Sequence, residues 1–333
     1  MNGGLIILDK PSGMTSRRAG GIVARIFGFR KFGHIGTLDP MASGVLPIAL
    51  GEATKMIPYL EEVGARGNAP AKEYLFSIKW GVETDTGDTD GHIINTNTEY
   101  RIPNTEEIEK ILPSLIGEIE QTPPQYSAIK INGKKAYDLA RRGIAVDMPV
   151  RRVNIYNLSV SSRKILQSKI CAGPGKDISK SNISDRDDLS RSRDPLTRPR
   201  DDTYIVQCSP GTYVRTLVQQ IAAKLGAIAT TSMIRRTRSS GFEIKDSVAL
   251  AILENLYNNR GCPREFLRPI DFGLDDILVL ELNDADADSF KNGGFVKGIR
   301  HKAYGIIRVY NNDKFIGIGE VVDDMLKPKR IIN

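Results

Sequence analysis

The run from Gly33 to Lys55, G-H-I-G-T-L-D-P-M-A-S-G-V-L-P-I-A-L-G-E-A-T-K, limits what this chain can fold into more than any other stretch. Gly33, Gly36 and Gly44 allow tight turns and close backbone approach. Pro40 removes a backbone donor and pushes Asp39 toward an extended conformation. The apolar residues Val45-Leu46-Pro47-Ile48-Ala49-Leu50, bounded by Gly44 and Gly51, read as a buried strand. The pattern predicts a carboxylate held on a stiff turn at the mouth of a core strand. An isolated Asp-Pro step is an ordinary turn start. Set in a dense run of Gly, Thr, Ser and His, it reads as a loop shaped for a ligand.

Bulk properties narrow the classes. A length of 333 residues predicts more than one domain. Lys and Arg exceed Asp and Glu by 47 to 40, a net charge of +7 that favours a polyanionic partner. No apolar run approaches the roughly 20 residues of a membrane span. Leu5-Ile6-Ile7-Leu8 stops at Asp9 and is too short for a signal peptide. The expectation is a cytoplasmic protein without membrane contact. Cys171, Cys208 and Cys262 are odd in number and far apart, which argues against a disulfide framework. His34, His92 and His301 share no ligand spacing with them, so no metal is expected. The segment D-T-G-D-T-D-G (85–91) misses the calcium-loop pattern, and neither common nucleotide-binding glycine motif occurs.

Taken in order, residues 4–8 predict a strand. Thr15 or Ser16 caps a helix with Ala19, Ile22, Val23 and Ile26 on one face. Residues 55–63 predict a short helix and 64–71 a loop. The stretch Y-L-F-S-I-K-W alternates as a strand. Asn104 or Thr105 caps a helix over 105–116 that Pro113 kinks or shortens. Between Gln121 and Gly143, Lys130, Lys134, Lys135, Arg141 and Arg142 interleave with Tyr126 and Tyr137, which tilts this segment toward RNA backbone contact. A strand follows from Arg151-Arg152. Residues 161–202 are rich in Ser, Asp, Lys, Arg, Gly and Pro and predict a disordered insertion or long loop. Residues 203–208 restore a strand. A helix follows with Leu217, Val218, Ile221 and Leu225 facing inward, ended by Gly226. Beyond about 265, alternating Leu278, Leu280 and Leu282, a short helix from Asp284 to Asn292 and two strands joined by N-N-D predict a small β-rich unit.

The whole of 33–55, not its Asp-Pro dipeptide, resembles the catalytic motif of the TruB family of tRNA pseudouridine synthases. The resemblance implies that Asp39 is the catalytic aspartate, and further motifs support it. Lys10-Pro11 is similar to a second family motif beside the active site. Lys72-Glu73-Tyr74 matches K-x-Y, whose tyrosine stacks on the target base, an interaction worth about 1–3 kcal/mol. Residues 81–91 resemble G-x-x-T-D-T-x-D-x-x-G. C-S-P-G-T-Y-V-R-T-L (208–217) matches the motif whose arginine, here Arg215, pairs with the aspartate. A bidentate guanidinium would keep that carboxylate ionised and oriented. M-I-R-R-T-R-S-S-G-F (233–242) places Ile234 near the base, with Arg235, Arg236 and Arg238 serving phosphates or structure. His34 would occupy the space left by base extrusion.

The implied fold is α+β: a mostly antiparallel central sheet with flanking helices over 1–255, then a small PUA-like β-barrel over 265–333. The implied thumb covers 121–148, and the 161–202 insertion departs from the family's short hairpin. The implied reaction is isomerisation of uridine to pseudouridine at position 55 in the T-loop of tRNA, without a cofactor. The implied partner is the T-arm stem-loop, bound by a monomer that needs no protein partner. Asp39 would attack the sugar or the base, or abstract a proton. Two rivals are a guide-RNA-dependent synthase, against which I-N-G-K-K-A-Y-D-L-A-R-R-G argues, and an RNA-binding protein without turnover, against which Asp39, Tyr74 and Arg215 argue.

Overall fold

The computed structural model describes residues 2–66, 72–96, 102–161, 202–299 and 305–332. The predicted insertion therefore lies almost wholly outside the described residues, as do Cys171, His301 and most of the loop expected over 64–71.

The N-terminal unit begins with β1 (Gly3–Lys10), α1 (Ser16–Ile26), β2 (Phe32–His34), β3 (Ser43–Gly51) and α2 (Ile57–Arg66). It continues through β4 (Lys72–Trp80), the hairpin of β5 (Val82–Thr84) and β6 (Ile93–Thr96), α3 (Thr105–Ile111) and β7 (Gly117–Gln121). The segment expected to form the thumb carries β8 (Lys130–Ile131), β9 (Lys134–Lys135) and α4 (Ala136–Ala140). Then come β10 (Arg151–Val160), β11 (Asp202–Cys208), α5 (Val214–Lys224), β12 (Ala229–Ser239), β13 (Phe242–Glu243), β14 (Val248–Ala249) and α6 (Leu250–Asn258). The main sheet runs β14-β1-β3-β12-β4-β11-β10-β7, with β2 on β3 and β13 on β12. It is mostly antiparallel, as expected; β1–β14 and β3–β12 pair in parallel.

The strand Tyr74 belongs to differs from its pattern. Alternation predicts one wet face, but β4 is buried continuously from Glu73 to Ile78. Its place between β12 and β11, with cover on both faces, overrides the alternation. Pro113 does shorten its helix: α3 stops at Ile111 and a 3-10 turn covers Leu112–Leu115. Asn104 is the cap, in a reciprocal capping box with Glu107.

The C-terminal unit contains β15 (Val279–Glu281), α7 (Asp284–Lys291), β16 (Val296–Lys297), β17 (Gly305–Asn311), β18 (Lys314–Val322) and β19 (Met325–Ile331). Its sheet order is β15-β17-β18-β19-β16. Asn312 and Asp313 both take positive φ (51° and 58°), which suits the tight turn between β17 and β18. The charged stretch L-K-P-K-R pairs as β19. Its Pro328 is tolerated beside the register shift between Ile318 and Gly319.

The two units share apolar packing. Leu5, Ile7, Ile35, Val45 and Met56 of the first form one buried cluster with Leu274, Ile277 and Ile318. Leu5 and Arg268 exchange backbone hydrogen bonds, and Lys55 Nζ donates to the Ile331 carbonyl. Arg308 donates to the Ile277 carbonyl, and the Tyr310 hydroxyl donates to Asp271.

Candidate active site

The loop from Gly36 to Ser43 leaves β2 and enters β3. Three buried polar side chains hold its main chain. Thr15 caps α1 by accepting from the Arg18 N–H at 3.1 Å, so the Ser16 hydroxyl is free to turn inward. It donates to the Leu38 carbonyl (2.9 Å) and accepts from the Leu38 N–H (2.8 Å), locking the residue before Asp39. Lys10, fully buried, donates to the carbonyls of Pro11, Met14 and Pro40. Burial is the main cause that pushes its ammonium down to about 8, against the pull of Asp39. Arg236, also fully buried, donates to the carbonyls of Val45 (2.8 Å), Gly36 (2.9 Å) and Thr37 (3.4 Å). Gly44, at φ 104°, lets β3 touch the Arg236 backbone, where a Cβ would collide with the carbonyl.

Asp39 faces a cavity of about 380 Å³, the scale of a small-ligand site. Tyr74 from β4, Ile234 from β12 and Lys130 from the thumb line it with Asp39. Lys72, Arg151 and Tyr213 line it too, and the sequence reading does not single them out. Their signal was available for Lys72, two residues before Tyr74 and so on the same face of its strand.

Arg215 stands behind Asp39 in the first turn of α5, 3 % exposed. Its Nε lies 3.0 Å from Asp39 Oδ2, with the N–H turned off the line between them. The expected two-nitrogen contact does not form. One terminal nitrogen donates to the Thr86 carbonyl (2.6 Å), the other to the Tyr126 carbonyl (2.9 Å). The first of these also sits 3.6 Å from Asp88. The guanidinium thus ties the 81–91 loop and the thumb to Asp39, with one nitrogen left for the carboxylate. Asp88, buried in a loop that reads as a polar turn, brings a second negative charge that local sequence does not announce. Burial consequently pushes the Asp39 carboxyl above the usual carboxylate range. Arg215 opposes this, Asp88 adds to it, and Lys10 opposes it more weakly.

The register of β12 separates the three arginines. Arg235 makes a two-nitrogen ion pair with Asp9 (2.8 and 3.0 Å), Arg236 holds the Asp39 loop, and Arg238 pairs with Glu243 (2.6 Å). His34 is half-buried on β2, with its Nδ1 buried and unpartnered. Burial, then Arg236, Arg17 and Lys135, hold its imidazole below the usual value. Neither His34 nor Lys10 is among the residues lining the cavity. Lys134 and Lys135 sit exposed on β9, and Arg141 and Arg142 are exposed after α4. Lys135 and Arg141 lie 5.2 and 5.5 Å from the centre of the Tyr137 ring. Among the described residues no group of three His, Cys, Asp or Glu side chains is arranged to hold a metal.

Comparison with known proteins places this geometry. Residues 24–171 match the model for the TruB family pseudouridylate synthase N-terminal domain, and residues 279–332 match that for the pseudouridine synthase II TruB C-terminal region. The chain is 39% identical over 291 residues to tRNA pseudouridine synthase B of Caulobacter vibrioides, covering 87% of this chain and 80% of that protein. It is 35% identical to the protein of that name from Nitrobacter winogradskyi, covering 99% and 82%. The fold matches the solved structure of an H/ACA RNP bound to a substrate RNA containing 2′-deoxyuridine, with a TM-score of 0.62 and 19% identity over 99% of this chain and 85% of that one. Two relatives above 30% identity, each matched over most of both chains, together with both domain models, establish that the chain belongs to the TruB family of pseudouridine synthases.

Proposed function

We propose that this protein isomerises a uridine of tRNA to pseudouridine, at position 55 in the T-loop. The observation that carries the reading is Asp39 at the wall of the cavity, backed by Arg215 at 3.0 Å and flanked by Tyr74 and Ile234. In this isomerisation the glycosidic C–N bond breaks, the base rotates and a C–C bond forms; C5 gives up its proton and N1 ends protonated. No redox partner or group donor is needed.

Asp39 is the catalytic aspartate on this reading, attacking sugar or base or abstracting a proton. Burial raises its basicity while Arg215 fixes its orientation. Tyr74 stacks on the extruded base and Ile234 closes the pocket beside it. Lys10 and His34 act from outside the cavity. Extrusion costs a few kcal/mol, which phosphate contacts from the basic thumb offset. Residues 1–255 form the synthase domain and 265–333 the RNA-binding one, in keeping with their separate sheets. The protein works alone, as a cytoplasmic monomer; no described helix is long and apolar enough to cross a membrane.

The test is tritium release from tRNA labelled at uridine C5, with no guide RNA or other protein added. Wild type releases label, and Asp39→Asn binds equally well while its rate falls by about 10²–10⁴-fold. A wild type that binds tRNA without releasing label sinks the proposal, and so does a requirement for guide RNA.

A further inference from the structure

The cavity carries a charge imbalance that the chemistry at Asp39 does not use. Lys72, Lys130 and Arg151 all line it. Among the described residues none of the three has a carboxylate partner. The nearest anion on the cavity wall, Asp39, is already engaged by Arg215. The neighbouring Arg152 shows what an ordinary surface arginine does on this strand. One residue along, and on the opposite face, it pairs with Glu118 (3.3 Å) and Glu120 (3.6 Å).

The three cations come from separate elements. Lys72 opens β4 and shares a strand face with Tyr74, two residues or about 7 Å away. Its Nζ reaches over Gly36, where a Cβ would sit 3.4 Å from it, so it overhangs the Asp39 loop. Lys130 is in the first strand of the thumb hairpin, and Arg151 opens the strand that leaves the thumb. Three unpaired cations converging on one cavity from three directions suit an anion with several free oxygens. The spacing between Lys72 and Tyr74 is the scale on which a nucleotide separates its base from its phosphate.

We propose that Lys72, Lys130 and Arg151 form a phosphodiester subsite that grips the backbone beside the extruded uridine. The inference rests on the isomerase reading, and it assigns these side chains to the target nucleotide rather than to the stem. Because Lys130 and Arg151 flank the thumb, seating the phosphate also draws the thumb against the cavity.

The test uses the full chain and a T-arm stem-loop RNA, with binding measured across a range of salt concentrations. Lys72→Gln and Arg151→Gln each weaken binding about tenfold near 0.1 M salt and flatten the log–log salt slope by about 0.7–0.9. Lys72→Arg and Arg151→Lys keep the wild-type slope, and Arg152→Gln leaves slope and turnover unchanged. A second arm needs no protein variant. A single uncharged methylphosphonate is placed on either side of the target nucleotide, with the adjoining 2′-hydroxyl methylated so that the linkage survives. Wild type loses about tenfold in affinity for one of these RNAs, and the Lys72→Gln, Arg151→Gln double variant shows no further loss. Wild type that releases tritium yet binds both uncharged RNAs as tightly as the natural one overturns the subsite and leaves the isomerase reading standing. Wild type that releases none overturns both.

Discussion

Residues 36–45 hang from side chains that reach in from distant parts of the chain, whereas residues 125–148 are held largely by their own neighbours. Lys10, Ser16 and Arg236 grip the Asp39 loop through its carbonyls and one N–H, and all three are buried. In the thumb, Tyr137 N–H meets the Ser127 carbonyl, Ala136 N–H the Ile129 carbonyl, and Gln125 both polar groups of Val146. Its ties to the rest of the site gather at its first residues: Gln121 exchanges hydrogen bonds with the Tyr213 backbone, Thr216 donates to the Thr122 carbonyl, and Arg215 donates to the Tyr126 carbonyl. A carboxylate that must meet one atom of substrate needs partners fixed by the whole fold. A surface that captures phosphates needs only charge within reach, and local order suffices.

Substitutions can break this contrast. Gly44→Ala attacks the gripped loop directly. The position needs positive φ, and a Cβ collides with the Arg236 backbone. Stability falls by about 3 kcal/mol or more, seen as a lower thermal midpoint, and activity falls with it. Arg215→Lys keeps the charge but cannot hold the Thr86 and Tyr126 carbonyls and Asp39 together. Single-turnover rate drops by up to about 10²-fold while RNA affinity changes little. A matched loss of affinity would show that the thumb, not the carboxylate, is what Arg215 organises.

Two smaller effects sharpen the contrast. On the proposed reading Asp39 reacts as the carboxylate, so the rate is expected to fall as pH drops through its pKa. With that pKa raised by burial, the acid limb lies above the ordinary carboxylate value of 3.8. Asp88→Asn removes a charge that raises it further, so the limb of the single-turnover pH profile moves to lower pH. An unmoved limb would separate Asp88 from the electrostatics of Asp39. Smallest are Lys134→Gln and Arg141→Gln in the thumb. Each flattens the salt dependence of RNA binding by about 0.7–0.9 and leaves unfolding free energy within about 0.5 kcal/mol.

What could be read from the sequence followed from contiguity. Asp39, Tyr74, Arg215 and Ile234 each sit in a run long enough to be told apart from chance, and the fold brings all four to one place. Less legible were partners set by register and by loops folding back. Arg235, Arg236 and Arg238 look alike in sequence, but the bulge between Arg236 and Arg238 and the parallel pairing with β3 give each a different carboxylate or carbonyl. Asp88 depends on the β5–β6 hairpin, whose second strand is fully exposed and carries no apolar alternation to announce it. Pairing between Asp39 and Arg215 was legible, but its single-nitrogen form was not, because the carbonyls of Thr86 and Tyr126 carry no sequence signature.

The loop that carries Asp39 begins after Ile35 and ends at Val45, and both belong to the buried apolar cluster that also takes in Ile318 of the C-terminal sheet. Close-packed interiors transmit displacement with little compression. Any load on β18, such as an RNA pressing on that sheet, therefore reaches both feet of the loop through solid packing rather than through a hinge. The C-terminal unit is a buttress as well as an appendage, and part of the shape of the cavity is set by residues that never face it.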